Sequence, residues 1–165
     1  MMTLRRVLCA AWRTAMVNSR NKGMGGEREI IAILTDELGG SANGLTFQRD
    51  INQYRQSDLG DIICSDPDFP FVIEVKRKRA GYGIDPNWWD QVCAAALATE
   101  SGKLPLLVYR YDRLPWRWRF PVAAIVGMDG FEPTGDIAEQ YDWRYAVECD
   151  TITAMMIVRE HLADG

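Results

Sequence analysis

The stretch PFVIEVKRKR at residues 70–79 joins the pattern of a buried strand to a run of charged side chains. Its apolar residues predict a core strand, yet Glu74 and Lys76 interrupt that pattern. Because they are two residues apart, Glu74 and Lys76 share one face of the strand while Val75 points to the other. Burying a charge is costly unless it is paired or binds a cation. The stretch therefore predicts a core strand that carries a functional site.

Asp61 is the expected partner of this strand, because it opens the short strand DIIC just after Gly60. A strand–turn–strand path would bring Asp61 beside Glu74, and two close carboxylates repel each other unless a cation lies between them. Mg²⁺ prefers oxygen ligands and commonly takes one or two carboxylates together with a substrate phosphate. Lys76 can then orient or activate the attacking water, or stabilise charge on the phosphate. These residues predict metal-assisted hydrolysis of a phosphodiester.

Other acidic residues near Asp61 have weaker claims to the site. Asp58 is an alternative to Asp61, but it lies in the polar loop NQYRQSDLG, whereas Gly60-Asp61-Ile62 has the pattern of a strand entry. Asp66 and Asp68 belong to the turn DPDFP, and aspartate favours turns because its side chain bonds to the nearby backbone.

The order of predicted elements indicates an α/β protein with a sheet packed between helices. At 165 residues, with 47% hydrophobic and 25% charged side chains, the chain has the composition of one soluble globular domain. The predicted elements are a flexible basic lead-in over NKGMGG, a helix over EREIIAILTDEL, strands over residues 45–51, DIIC and FVIEVK, a helix from Pro86 to about Thr99, strands over LPLLVYRY, WRWRFPV and YAVEC, and a final helix over TITAMMIVREHL that Asp150 would cap.

Three segments are expected along the chain. Residues 1–20 would be an extension from an upstream start, although their arginines leave organellar targeting by residues 1–15 open. Residues 21–128 would form the core, and residues 129–165, with 9 Asp+Glu against 2 Lys+Arg, an acidic strand–helix segment on the same domain. Scattered cysteines and the absence of an apolar run near the ~20 residues of a membrane span favour a cytoplasmic protein.

Asp61 followed by Glu74-Val75-Lys76 resembles the hallmark of the PD-(D/E)XK nucleases. The chain is more closely similar to their Holliday junction resolvase branch of archaea and phages, through NSRNKGMGGERE, GDI, FVIEVK, WWDQV and LPLLVYRYDRLPWRWRF, which occur in the expected order. The similarity covers about residues 16–122. It implies a restriction-endonuclease-like fold, in which helices flank a mixed central sheet.

The resemblance also implies a role for each matching residue. Asp61 and Glu74 would ligate Mg²⁺, for which Mn²⁺ could substitute, and the carbonyl of Val75 would be a further ligand. Lys76 would be the catalytic lysine. Two more residues belong to this implied site. Glu27 would complete the acidic site or hold a second metal through water. Gln91 would orient Lys76 or a water. Glu29 is a rival for Glu27 on spacing grounds.

The implied substrate is branched double-stranded DNA, cut by a homodimer in a phage-infected or prokaryotic cell. The net charge of −4 argues against a general polyanion binder, so phosphate contacts would come from local clusters. The proposed contacts are Lys22, Arg28, Lys78, Arg79, Arg117 and Arg119, and Arg77 is expected to face phosphate or solvent. Another PD-(D/E)XK repair or restriction-like nuclease on linear or flap DNA is one alternative, and a catalytically silent DNA-binding protein is the other.

Overall fold

The computed structural model describes residues 23–39, 44–50, 60–99, 102–126 and 145–163. Its elements in chain order are α1 (23–38), β1 (Phe47–Arg49), β2 (Ile62–Cys64), β3 (Phe71–Lys78), α2 (Pro86–Ala98), β4 (Leu104–Tyr111), β5 (Arg117–Pro121), α3 (Ala123–Val126), β6 (Ala146–Cys149) and α4 (Thr151–Ala163). Among these elements, only the short α3 has no counterpart in the predicted order.

The six strands form a single sheet in the order β1-β2-β3-β4-β5-β6. Neighbouring strands are antiparallel except β3 and β4, which are parallel from Phe71 opposite Leu104 to Lys78 opposite Tyr111. Parallel neighbours require a crossover connection, and α2 supplies it. The predicted α/β class, a mixed central sheet flanked by helices, is confirmed.

The alternation of side chains along β3 divides the core between the two faces of the sheet. Phe71, Ile73 and Val75 pack into the larger cluster, with residues of α1 and α4. Val72 points the other way, into a smaller cluster built on the buried Trp89 of α2. Glu74 and Lys76 follow Val72 on this second face, so the charged pair lies on the side of the sheet that α2 covers.

Local capping explains where α2 and α4 begin. Asp85 precedes α2 and its side chain accepts a hydrogen bond from the backbone nitrogen of Asn87 at 3.1 Å, while Pro86 occupies the first turn. Asp150 accepts from the backbone nitrogen of Thr153 at 2.8 Å, and these backbone contacts lower the pKa of Asp150. The predicted cap of the last helix is confirmed.

The start of α1 differs from the prediction, because residues 23–26 are helical and not a flexible lead-in. Glycine weakens an isolated helix, but here tertiary packing decides. A Cβ at Gly26 would lie 3.3 Å from both the Cβ of Arg77 and the Cη2 of Trp116, so the absence of a side chain lets the helix approach the sheet. Residues 21–22 of the predicted lead-in lie outside the described part.

The last strand and helix contact the same sheet as the rest of the protein. β6 pairs with β5, and α4 contributes Ala154, Met155 and Val158 to the larger core. The proposed extension at residues 1–20 and the whole of residues 127–144 lie outside the described ranges, so the division into three segments stays a prediction. Among the described helices, none has the length and apolar character to cross a membrane.

Candidate active site

Gly60 allows the backbone to lie close enough to β3 for Asp61 to reach the side of Glu74. Gly60 has a φ of +79°, and a Cβ there would lie 2.7 Å from the carbonyl oxygen of Ile73. The backbone nitrogen of Asp61 donates to that oxygen at 2.7 Å, and its Oδ2 accepts from the backbone nitrogen of Val75, also at 2.7 Å. The Asp61 carboxylate is therefore held against β3 next to Glu74.

Glu74 is a buried carboxyl group surrounded by more negative than positive charge. Only 4% of the residue is exposed. Burial, followed by the charges of Asp61 and Glu27, raises the pKa of Glu74 from its ordinary value of 4.5 to about 7 against the opposing effect of Lys76. Ionised Glu74 would be stabilised by a further cation in this position.

Lys76 lies between Glu74 and the crossover helix. Its ammonium forms an ion pair with Oε1 of Glu74 and donates to Oε1 of Gln91 at 3.0 Å. Gln91 is an exposed residue of α2 that lies between the buried pairs Trp88-Trp89 and Val92-Cys93. The structure thus brings together Asp61, Glu74, Lys76 and Gln91, four residues that the sequence singled out.

The two acidic residues of α1 have different surroundings. Glu27 is buried, and its charge contributes to the high pKa of Glu74. Glu29 instead accepts from Arg77 at 2.7 Å and from Arg110 at 2.9 Å. Of the two rivals, Glu27 is the one whose charge acts on Glu74.

Arg49 of β1 is a residue of this region that sequence reasoning missed. Its Nε forms an ion pair with Oε2 of Glu27, and its backbone pairs with Ile62, the neighbour of Asp61. The only signal in the sequence is a single cation on the short predicted strand LTFQRDI. Nothing in the spacing relates that cation to a helix about twenty residues earlier.

The carboxylates fit a hard divalent cation of the Mg²⁺ type. The described residues contain no group of three or more His, Cys, Asp or Glu side chains arranged to hold a metal. Mg²⁺ nonetheless needs only one or two carboxylates when water and a substrate phosphate complete its ligands. Asp61 and the buried Glu74 supply that pair, and burial and the charge of Asp61 keep the pKa of Glu74 raised although Lys76 pairs with it, so a further cation would be favourable there. Oxygen donors alone also match Mg²⁺ or Mn²⁺ better than zinc.

The predicted phosphate contacts separate into exposed and buried residues. Arg28, Lys78, Arg79 and Arg117 are exposed. Arg119 is not placed for such a contact, because it is 8% exposed and its guanidinium lies 5.4 Å from the ring centre of Trp89. Arg77 is also withdrawn from solvent, in ion pairs with Glu29 and Asp112.

Three of the sequence predictions concern the loops. Asp66 accepts from the backbone nitrogen of Asp68 at 2.9 Å, so these residues form the predicted turn. Lys22 and Asp58 both lie outside the described residues. The contact of Lys22 with DNA stays a prediction, and Asp58 stays an alternative on sequence grounds alone.

A mixed sheet that gathers Asp61, Glu74 and Lys76 at its central strand is the arrangement of a PD-(D/E)XK nuclease. The model of the family described as "Phage putative PDDEXK endonuclease" matches residues 18–130, and the chain belongs to that family. The protein is therefore an endonuclease, and the superfamily to which it belongs generally uses divalent metal ions.

The solved structures that are similar to part of the chain include one from an archaeon. It is Hjc, a Holliday junction resolvase from the archaeal hyperthermophile Archaeoglobus fulgidus, at 21% identity with a TM-score of 0.41. The similarity covers 59% of this chain and 74% of the Hjc chain. No curated protein matches the sequence.

Proposed function

We propose that the protein is a Mg²⁺-dependent endodeoxyribonuclease that cuts branched DNA by attack of water on a phosphodiester. The observation that carries the proposal is the placement of Glu74 and Lys76 on one face of β3, with Asp61 held beside them by the Val75 backbone. A binding protein has no need of paired acids near DNA phosphates, because such acids would repel them.

The carboxylates of Asp61 and Glu74 would hold the metal, together with the carbonyl of Val75. Glu27 would complete the acidic site or act through water. When bound, Mg²⁺, or Mn²⁺ in its place, supplies activation of the attacking water and neutralisation of charge on the phosphate. The burial of Glu74 favours this use, since a positive charge would restore its ionised form.

Lys76 would stabilise the negative charge that develops on the phosphoryl oxygens, or orient the attacking water. Its ammonium is already placed, because Glu74 and Gln91 bind it from two sides. A donor that is fixed before the reaction needs no reorganisation when the charge appears. Gln91 is proposed to act on the reaction through this contact.

Exposed cations would place the DNA backbone over the site. Arg28 is an exposed residue near the start of α1, while Lys78 and Arg79 lie at the end of the catalytic strand β3. Arg117 lies two strands away, level with Lys76, because both pair with Tyr109. Such contacts position a duplex without reading its sequence.

Symmetric cutting of a four-way junction requires two active sites, and a homodimer supplies them. The dimer is therefore proposed from the substrate. The enzyme is proposed to act in the cytoplasm of a prokaryotic or phage-infected cell, where branched DNA arises.

Substrate choice is tested by incubating the purified protein and Mg²⁺ with a fixed four-way junction, a flap and a linear duplex of matched sequence. The proposal predicts paired, symmetric cuts in the junction and much slower cutting of the others. Equal or faster cutting of flap or linear DNA would reject the junction assignment and favour a repair or restriction-like enzyme. A protein that binds the junction but cuts none of the three would be a silent binder.

A further inference from the structure

Arg77 is surrounded by an ion-pair network that holds α1 against the central strand. It belongs to the run KRKR at residues 76–79, yet its side chain is only 24% exposed. Its Nη1 donates to Glu29 at 2.7 Å, and its Nε donates to Asp112 at 3.2 Å. A single guanidinium thus bridges the first helix and the end of β4.

Arg110 binds the same carboxylate from the neighbouring strand. Its Nη2 lies 2.6 Å from Oε2 of Glu29, and its guanidinium stacks 4.6 Å from the ring centre of the buried Trp116. Arginine forms such forked contacts better than lysine, because its planar group offers several donors in fixed directions. Glu29 is therefore held by two arginines on adjacent strands.

The first turn of α1 packs directly on this network. A Cβ at Gly25 would lie 3.6 Å from Nη1 of Arg77, and one at Gly26 would lie 3.3 Å from the Cβ of Arg77. Glu27 follows immediately, and its carboxylate forms an ion pair with Arg49, whose backbone pairs with Ile62 beside Asp61. The position of Glu27 thus depends on where Arg77 holds the start of the helix, as well as on its own ion pair with Arg49.

We propose that Arg77 is a positioning residue, which acts through Glu29 and the start of α1 to keep Glu27 beside the metal-holding carboxylates. This inference rests on the proposed function of the site. It separates Arg77 from Lys78 and Arg79, which are exposed and proposed to contact DNA. It also gives Glu29, the rival of Glu27, a separate task in the same mechanism.

The test combines Arg77→Gln with Glu27→Gln in a double-mutant cycle. For each variant, kcat and KM on junction DNA are measured, together with the Mn²⁺ affinity of the protein by paramagnetic resonance titration. Arg77→Gln is expected to lower kcat and Mn²⁺ affinity by about tenfold or more, as loss of support for a metal ligand typically does, with KM for DNA little changed. The double variant is expected to be no worse than Glu27→Gln alone.

Three further variants separate this role from DNA contact and from general stability. Arg79→Gln is expected to raise KM, as loss of a phosphate contact should. Arg159→Gln removes an exposed ion pair with Glu37 at the other end of α1, and it should leave kcat, KM and Mn²⁺ affinity unchanged. Arg77→Lys keeps the charge but cannot bridge both carboxylates equally well, so its kcat should fall between those of Arg77→Gln and the wild type.

Two results would overturn the proposal. One is a further loss of the same size when Arg77→Gln is added to Glu27→Gln, and the other is a raised KM with unchanged kcat for Arg77→Gln. If Arg77→Gln does not fold, Arg77→Lys is carried through the same cycle. If the wild type cuts no DNA, the proposed function fails, while the Mn²⁺ titrations still decide whether Arg77 supports the site through Glu27.

Discussion

Glu74 is the residue at which burial and function conflict most directly. In the folded chain without metal, burial and the charge of Asp61 raise the pKa of Glu74 to about 7. The fold therefore accepts an unfavourable carboxylate, and a bound cation would compensate for it. Sites where the surroundings disfavour the charged form of a side chain in this way are frequently functional.

The raised pKa makes the stability of the metal-free protein dependent on pH. Because the folded state binds the Glu74 proton more tightly than the unfolded chain, the contribution of this group is complete below about pH 4.5 and is lost as the pH rises through about 7. The loss is on the order of 3 kcal/mol. Glu74→Gln should remove this pH dependence. In the presence of a chelator, the free energy of unfolding of the variant minus that of the wild type should therefore be larger at pH 8.5 than at pH 5. Equal differences in denaturant unfolding at both pH values would contradict this.

Lys76 and Gln91 should differ in how strongly they affect the reaction. Lys76→Ala removes a charge at the site of the reaction and should lower kcat by about 10²–10³-fold. Gln91→Ala removes only one contact to that charge and should cost about tenfold, with DNA binding retained. Single-turnover cleavage and gel-shift binding, measured on the same preparations, check both values. An unchanged rate for Lys76→Ala would remove Lys76 from the mechanism.

At the scale of the elements, Gly60 controls how β2 approaches β3. Its φ of +79° and the 2.7 Å that would separate an added Cβ from the Ile73 carbonyl oxygen leave no room for a side chain. Gly60→Ala should destabilise the fold by about 2–3 kcal/mol and displace Asp61, so that cleavage falls as well. Thermal unfolding and cleavage measured together test this, with Gly44→Ala as a comparison, since Gly44 also has a positive φ but no atom near its Cβ position. Equal effects of the two substitutions would contradict the close-approach explanation.

Much of the site was predictable because it follows from strand geometry. The two-residue period places Glu74 and Lys76 together, and a strand–turn–strand path brings Asp61 to them. The same period also places Arg77 on the opposite face, towards α1, where it meets Glu29. The sequence could not show this meeting, since the apolar stripe of α1 indicates which side faces the core but not where the helix lies along β3.

Other features depend on contacts between distant segments. Arg117 and Arg119 have the same pattern in the sequence, yet Trp89 of α2 covers only Arg119. The early start of α1 likewise depends on the packing of Gly26 against Trp116, which is almost a hundred residues later in the chain. Neither local propensity nor periodicity contains this information.

At the scale of the whole molecule, metal binding should stabilise the fold. A ligand that binds only the native state raises the free energy of unfolding with its concentration. Mg²⁺ should therefore raise the melting temperature of the wild type, and this shift should disappear in Asp61→Ala and shrink in Glu27→Gln. Calorimetry over a range of Mg²⁺ concentrations, with Arg159→Gln as the folded control, measures the effect. A shift that persists in Asp61→Ala would place the metal elsewhere.

The most direct test of the central claim is a cleavage assay on a fixed four-way junction in Mg²⁺, comparing the wild type with Glu74→Ala. If Asp61, Glu74 and Lys76 form the active site, the wild type will produce paired symmetric cuts, and Glu74→Ala will bind the junction without cutting it. Cutting by Glu74→Ala at the rate of the wild type would contradict the assignment of the active site to β3.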